Sequence, residues 1–248
     1  MAKRTVRPAP ARPRAVPKQE PLIDLPPVPL RRGRARDVAA DRLAQLGFAE
    51  HPFLLSAQPR YMFLSKQHRG VINRIQDVIT DGEGLAVVEG PNGVGKTTIA
   101  RHIYEQYREQ QDIQPTEYRT RYIDTARYST QLEALGDIAG NFGLKLRRSM
   151  ADQRNDFRAF LMGAREADQD VVVILDDAQK ISTDALEIFH DLFNFDYKRK
   201  LVQIILFAQS EIMEKFTGKD ALRDRVAAWQ KLSALSPQDA WSMIAFRC

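Results

Sequence analysis

The sequence predicts an α/β fold, a parallel sheet covered by helices on both faces. Three observations carry that expectation. From about Asp37 onward, short apolar runs of strand length alternate with longer segments of helical periodicity. The runs at 171–175 and 201–208 are apolar almost throughout, as strands buried on both faces are. The run Leu85-Ala86-Val87-Val88-Glu89 passes through a glycine-rich turn into a helical segment in which Ile99 and Ile103 sit one turn apart.

Taken in order, the elements begin with a short helix at 37–46. A loop with Gly47, Pro52 and Pro59 follows, then a helix at 66–80. The turn Asp81-Gly82-Glu83-Gly84 leads to a first strand at 85–89. The helix after the glycine turn runs to about Gln110. A second strand covers 118–124 and a helix 129–142. A basic loop, Lys145 to Arg148, precedes a helix at 152–167 and a third strand at 171–175. Leu186, Phe189 and Phe193 give the next helix, 183–195, a three-four apolar stripe. A fourth strand at 201–208 and a helix at 210–217 follow. A short apolar segment near 226–235 then precedes a final helix from Pro237. No internal repeat is visible.

Length and charge divide the chain. Its 248 residues suffice for one α/β core and a tail. Ten Lys or Arg against two acids give residues 1–36 a net +8. The whole chain is +5, so the remainder carries −3. The same stretch holds eight of the thirteen prolines, a composition that cannot bury a core. Such an arm suits either nucleic-acid phosphates or docking on a protein, and the patch Leu22-Ile23-Asp24-Leu25 favours docking locally. One cysteine, Cys248, excludes a disulfide framework and fits a reducing cytoplasm. No apolar run approaches the roughly 20 residues of a bilayer span. No apolar signal segment follows the basic start.

Residues Gly90-Pro91-Asn92-Gly93-Val94-Gly95-Lys96-Thr97 fit the phosphate-loop pattern G-x-x-x-x-G-K-[ST], in the strand–loop–helix context it requires. The glycines let backbone N–H groups turn inward around phosphate oxygens, and the helix start of Thr97 and Thr98 adds partial positive charge. Lys96 is placed for the β- and γ-phosphates of ATP, and the Thr97 hydroxyl for Mg²⁺. Eighty residues on, the apolar run at 171–175 delivers Asp176 and Asp177 at a strand end, where α/β sheets bind ligands. Asp176 is the expected Mg²⁺ carboxylate and Asp177 the expected base for the attacking water. Gln209, at the end of the fourth strand, is expected to sense the γ-phosphate. Arg225, or alternatively Arg223, is a candidate arginine finger for a neighbouring subunit.

These segments, with Leu46-Gly47-Phe48, Phe63-Leu64-Ser65 and His68, the run Leu175 to Ser182, Gln209-Ser210-Glu211-Ile212 and Leu235-Ser236-Pro237, resemble AAA+ ATPases of the ExeA/GspA type over about 43–247. That group also contains TnsC/TniB-like transposition regulators. The resemblance implies an AAA+ P-loop core at 37–235, a basic tail at 1–36, and the first helix of a truncated C-terminal lid at 236–248. It also implies slow hydrolysis, because Asp177 stands where the family usually has Glu. By the same resemblance, Arg127, Tyr128, Lys145, Arg147 and Arg148 fall where such rings grip duplex DNA, with Lys198-Arg199-Lys200 less favoured. The implied partners are sequence-independent duplex DNA, other copies in a ring or helical filament, a transposase and a target selector, in the cytoplasm and without membrane contact. The alternatives are a protein-directed assembly or secretion ATPase and a helicase-loader-like or defence ATPase.

Overall fold

The computed structural model describes residues 62–113, 117–193 and 199–247, with Gln45 and Gly47 as isolated positions. The tail, the helix expected at 37–46 (Gln45 apart) and Lys198 lie outside the described residues.

Helix α1 spans Lys66–Asp81 and ends on Gly82, whose φ of 68° is the left-handed cap that glycine adopts most cheaply. Strand β1 (Leu85–Glu89) leads into α2 (Lys96–Ile113), and β2 (Tyr118–Ile123) follows. Helices α3 (Gln131–Asn141) and α4 (Met150–Glu166) start on the side-chain caps Thr130 and Ser149. Strand β3 (Asp170–Leu175) ends in a tight turn at Ala178–Lys180, and α5 covers Thr183–Phe193. Strand β4 (Val202–Ala208), short helices α6 (Ile212–Phe216) and α7 (Asp220–Arg223), strand β5 (Val226–Lys231) and helix α8 (Pro237–Arg247) complete the order.

All pairings are parallel, in the order β2-β3-β4-β1-β5. Strand side chains alternate between two cores, as the pleat requires. Leu85, Val87, Val173, Leu175, Ile204 and Leu206 join a cluster with α3 to α7. Ala86, Val88, Val172, Ile174, Ile205 and Phe207 join one with α1 and α2. Both faces are therefore covered, which is why β1, β3 and β4 read as continuous apolar runs.

Element boundaries agree with the sequence reading to within about three residues, with two omissions, the short helix α7 and one strand. The apolar segment near 226–235 contains a fifth strand, which lies beside β1 and shifts register between Leu85 and Ala86. Among the described residues, no helix is long and apolar enough to cross a membrane.

Candidate nucleotide site

The sheet order decides what meets at its C-terminal edge. Strands β3, β4 and β1 are consecutive, with Leu175 opposite Leu206 and Ala208 opposite Glu89. The residues that follow, Asp176 and Asp177, Gln209, and the loop 90–97, therefore leave the sheet side by side. The Gly90 N–H donates to Ala208 O at 3.2 Å, and the Leu232 N–H donates to Glu89 O at 2.7 Å, fixing the loop's exit between its neighbours.

Glycine is required at specific points of this loop. A Cβ on Gly90 would stand 2.5 Å from the Leu232 carbonyl oxygen. Gly93 and Gly95 have φ of 82° and 96°, the region that side chains disfavour. Lys96 is 8% exposed, yet its ammonium donates to two carbonyls, Gly90 O and Pro91 O, both at 2.8 Å. Burial pushes its pKa down, while Asp176, Asp177 and Glu211 push it up. A buried ammonium whose hydrogen bonds go to neutral carbonyls is suited to an anionic partner. The loop's donors and the two strand-end acids fit a nucleotide triphosphate with a divalent cation.

Asp176 is 3% exposed and held from two sides. Its Oδ1 accepts from the Asp177 N–H at 2.9 Å, and its Oδ2 accepts from the Tyr122 hydroxyl at 3.1 Å. Burial, then the Asp176 charge, push the Tyr122 hydroxyl up to about 12, so it stays a donor. Asp177 adopts φ 56°, ψ 30°, a left-handed conformation unusual for a side-chain-bearing residue. Its Oδ2 accepts from Lys180 Nζ at 2.7 Å and its Oδ1 from Gln179 Nε2 at 3.2 Å. The Lys180 hydrogen bond is the main reason its carboxyl titrates below the usual range. Gln179 Oε1 in turn accepts from the Gln209 N–H at 3.0 Å, tying the β3 turn to the β4 tip. Lys215 closes the same turn by donating to Gln179 O and Ile181 O.

Among the described residues, no three His, Cys, Asp or Glu side chains gather as a metal cluster. A cation here would draw its oxygens from Asp176, the Thr97 hydroxyl, phosphate and water, as Mg²⁺ does in such sites. Bound there, it would neutralise charge on the phosphates. A cavity of about 470 Å³ adjoins the loop, bordered by Met62, Phe63 and His68, by 92–95 with Thr98 and Ile99, and by Met243 and Arg247 of α8. Its mixture of apolar walls and loop backbone suits a flat aromatic base.

The remaining candidate residues are scattered. Arg223 is exposed on α7, and Arg225 is half-buried just before β5. Arg127 is exposed in the turn after β2. Tyr128 corrects the sequence reading. It is 4% exposed in the core and its hydroxyl donates to Asp137 Oδ2 at 2.5 Å, so it holds α3 in place and presents nothing to DNA. Lys145, Arg147 and Arg148 are all exposed, and Arg147 is ion-paired with Asp156 at 2.6 Å. Arg199 and Lys200 are also structural: Arg199 pairs with Asp170 at 2.9 Å and Lys200 donates to Phe193 O.

Sequence reasoning missed the roles of Tyr122, His68 and Lys180. The first two act 54 and 26 residues from their partners, a distance no local pattern reveals. Lys180 lies inside the segment from Asp176 to Ser182, and its i,i+3 spacing from Asp177 was the available signal.

A five-stranded parallel sheet with a glycine loop after β1 and paired acids after β3 defines a P-loop nucleotide-hydrolysing protein. The AAA domain family matches residues 79–216, more than half of the chain, and the chain belongs to that family. It is an AAA+ ATPase. It is 29% identical over 212 residues to the general secretion pathway protein A of Aeromonas hydrophila, covering 81% of this chain and 36% of that one. It is 29% identical over 161 residues to the ORC1-type DNA replication protein 1 of Halobacterium salinarum, covering 62% and 48%. The chain thus spans less than half the length of either relative. Among solved structures, it superposes on the Aeropyrum pernix ORC1 protein in complex with DNA. The TM-score is 0.54 at 11% identity, over 80% of this chain and 54% of that one. It also superposes on Drosophila ORC bound to DNA, with a TM-score of 0.56 at 13% identity, over 94% and 55%. At these identities the likeness is one of fold.

Proposed function

We propose that the protein is an ATP-dependent, DNA-binding AAA+ regulator of transposition. With ATP bound it assembles on duplex DNA in the cytoplasm and recruits a transposase or a target selector. The observation that carries this reading is the charge asymmetry: +8 in residues 1–36 against −3 in the rest. Long-range attraction to a polyanion must then come mainly from the arm, with Arg127, Lys145, Arg147 and Arg148 as further cations on the core. The ORC likeness supports a core compatible with DNA work. In this reading Lys96, Thr97 and Thr98 hold the phosphates, Thr97 and Asp176 hold Mg²⁺, and Asp177 orients the attacking water. Gln209 reads the γ-phosphate. Arg225, or else Arg223, reaches a neighbour's site.

A second reading has its own observation. Similarity to a general secretion pathway protein runs along 81% of this chain, which favours an ATPase that acts on protein. One measurement separates the two: duplex DNA binding with a non-hydrolysable ATP analogue across a salt series. The DNA reading expects affinity to fall steeply with salt, by a log–log slope of about −0.9 per neutralised phosphate. Deleting 1–36 should flatten that slope by several units. No measurable affinity for duplex DNA at low salt, with the analogue present, rejects the transposition reading in favour of the protein-directed one.

A further inference from the structure

Nucleotide hydrolysis has no use for a histidine 22 residues before the phosphate loop, yet His68 is buried there, 7% exposed, and borders the cavity beside the loop. Both ring nitrogens are engaged. Nδ1 accepts from the Ser65 N–H at 3.3 Å and lies 3.2 Å from Ser65 Oγ, while the His68 N–H donates to that Oγ, completing the capping box of α1. With Nδ1 an acceptor, the ring proton sits on Nε2, which donates to Val94 O at 3.1 Å. The fit is close: a Cβ on Gly95 would lie 3.4 Å from His68 Nε2.

The third position of a capping box usually carries Glu or Gln. A glutamate would satisfy Ser65 equally well but would turn a second acceptor toward the Val94 carbonyl. Imidazole supplies an acceptor at one end and a donor at the other. The Val94 carbonyl matters because it shares a planar trans peptide with the Gly95 N–H, and the two point in opposite directions. Holding Val94 O against α1 therefore points the Gly95 N–H away from α1, and N–H groups turned inward in such loops bind anions. Lys96 cannot do this job, because its hydrogen bonds to Gly90 O and Pro91 O must break when it turns to phosphate.

We propose that His68 is a positioning residue of the phosphate loop, clamping the Val94–Gly95 peptide so that its N–H is aimed at the nucleotide phosphates before they arrive. This rests on the nucleotide reading of the 90–97 loop.

Binding of Mg-ATP and of ADP, by calorimetry, is compared with nucleotide-free thermal unfolding in Ser65→Ala, His68→Met, His68→Gln and Lys96→Ala. Ser65→Ala removes the cap's Oγ but leaves the Ser65 N–H on Nδ1 and Nε2 on Val94 O, so it should lower Tm but keep both affinities within about twofold. His68→Met loses the donor and should weaken both nucleotides about tenfold. Glutamine's amide offers both an acceptor and a donor, so His68→Gln should recover most of that loss. Equal affinity losses in Ser65→Ala and His68→Met, or no loss in His68→Met, overturn the proposal while a weakened Lys96→Ala leaves the nucleotide site standing. Unchanged binding in Lys96→Ala rejects that site itself. Should His68→Met fail to fold, nitrogen NMR of the unmodified protein decides. A neutral His68 protonated on Nε2 is expected, and a proton on Nδ1 overturns the clamp.

Discussion

The loop after β1 and the loop after β3 leave the sheet one strand apart and are built on opposite principles. The first is a backbone device. Its glycines permit its path, its cation rests on two of the loop's own carbonyls, and His68 holds a third. The second is a side-chain device. Asp177 sits in left-handed backbone with both carboxylate oxygens taken by Gln179 and Lys180, and Lys215 and Gln209 fix the turn from outside. The first loop is shaped for phosphate as it stands. In the second, on the proposed reading that Asp177 orients a water, both of its oxygens already accept a hydrogen bond. Binding that turns the Lys96 side chain but leaves the loop backbone in place, followed by slow turnover, is the expected behaviour of such a pair.

The largest effect should come from the second loop. On the proposed reading, in which Asp177 is the base, Asp177→Asn keeps the shape but removes that base, and general base catalysis contributes typically 10²–10⁴-fold. Hydrolysis should fall by about that factor while Mg-ATP affinity, by calorimetry, stays near that of the parent. An equal fall in affinity would mean that the two loops are not separable. Lys96→Ala tests the other side. Loss of a charge-assisted phosphate contact costs about 1.5–3 kcal/mol, so affinity should fall roughly 10- to 150-fold with assembly lost as well. Unchanged affinity would remove the 90–97 loop as the site.

A smaller effect sharpens the contrast. Tyr122→Phe deletes one of the two hydrogen bonds that orient Asp176, worth about two- to tenfold. The Mg²⁺ concentration for half-maximal hydrolysis should rise by that factor. ATP affinity in the presence of a chelator should not move, because Tyr122 touches the acid and not the loop. If the chelator value shifts equally, the hydroxyl supports the general fold and not the cation.

What could be read from the sequence follows the same division. The phosphate loop was legible residue by residue, because backbone devices need glycines at fixed spacings and leave a local signature. Strands β1, β3 and β4 were legible because burial on both faces makes them uniformly apolar. Strand β5 was not. It is a sheet edge, Val-Ala-Ala-Trp-Gln-Lys, with a single fully buried residue, Ala228, and its register is set by β1 some 140 residues earlier. The pairing of the basic and aromatic side chains was not legible for a related reason. Sequence shows a charge but not its partner: Arg147 spends its guanidinium on Asp156, Arg199 on Asp170, and Tyr128 its hydroxyl on Asp137. Arg127, Lys145, Arg147 and Arg148 are exposed.

The smallest effect tests whether the second loop is held shut by its own turn. Lys180 and Asp177 are 44% and 39% exposed, so their ion pair is a surface pair, worth about 0.2–1 kcal/mol before solvent screening is counted. It bears on turnover in two ways. It occupies the oxygen a water would use, and it lowers the carboxyl's pKa, which makes a weaker base. Lys180→Met should therefore raise hydrolysis by about one and a half- to fivefold, with Mg-ATP affinity unchanged. The sign for stability is opposite. A carboxyl with a depressed folded-state pKa stabilises the fold above its unfolded pKa and loses that contribution as pH falls through the folded value. Any Tm loss in Lys180→Met should thus be present at neutral pH and vanish in acid. Faster turnover with that pH signature identifies Lys180 as the restraint on Asp177. Slower turnover would mean that Lys180 instead holds Asp177 in its working position, and the left-handed turn at 177 would then be the ready state of the second loop, as the glycine path is of the first.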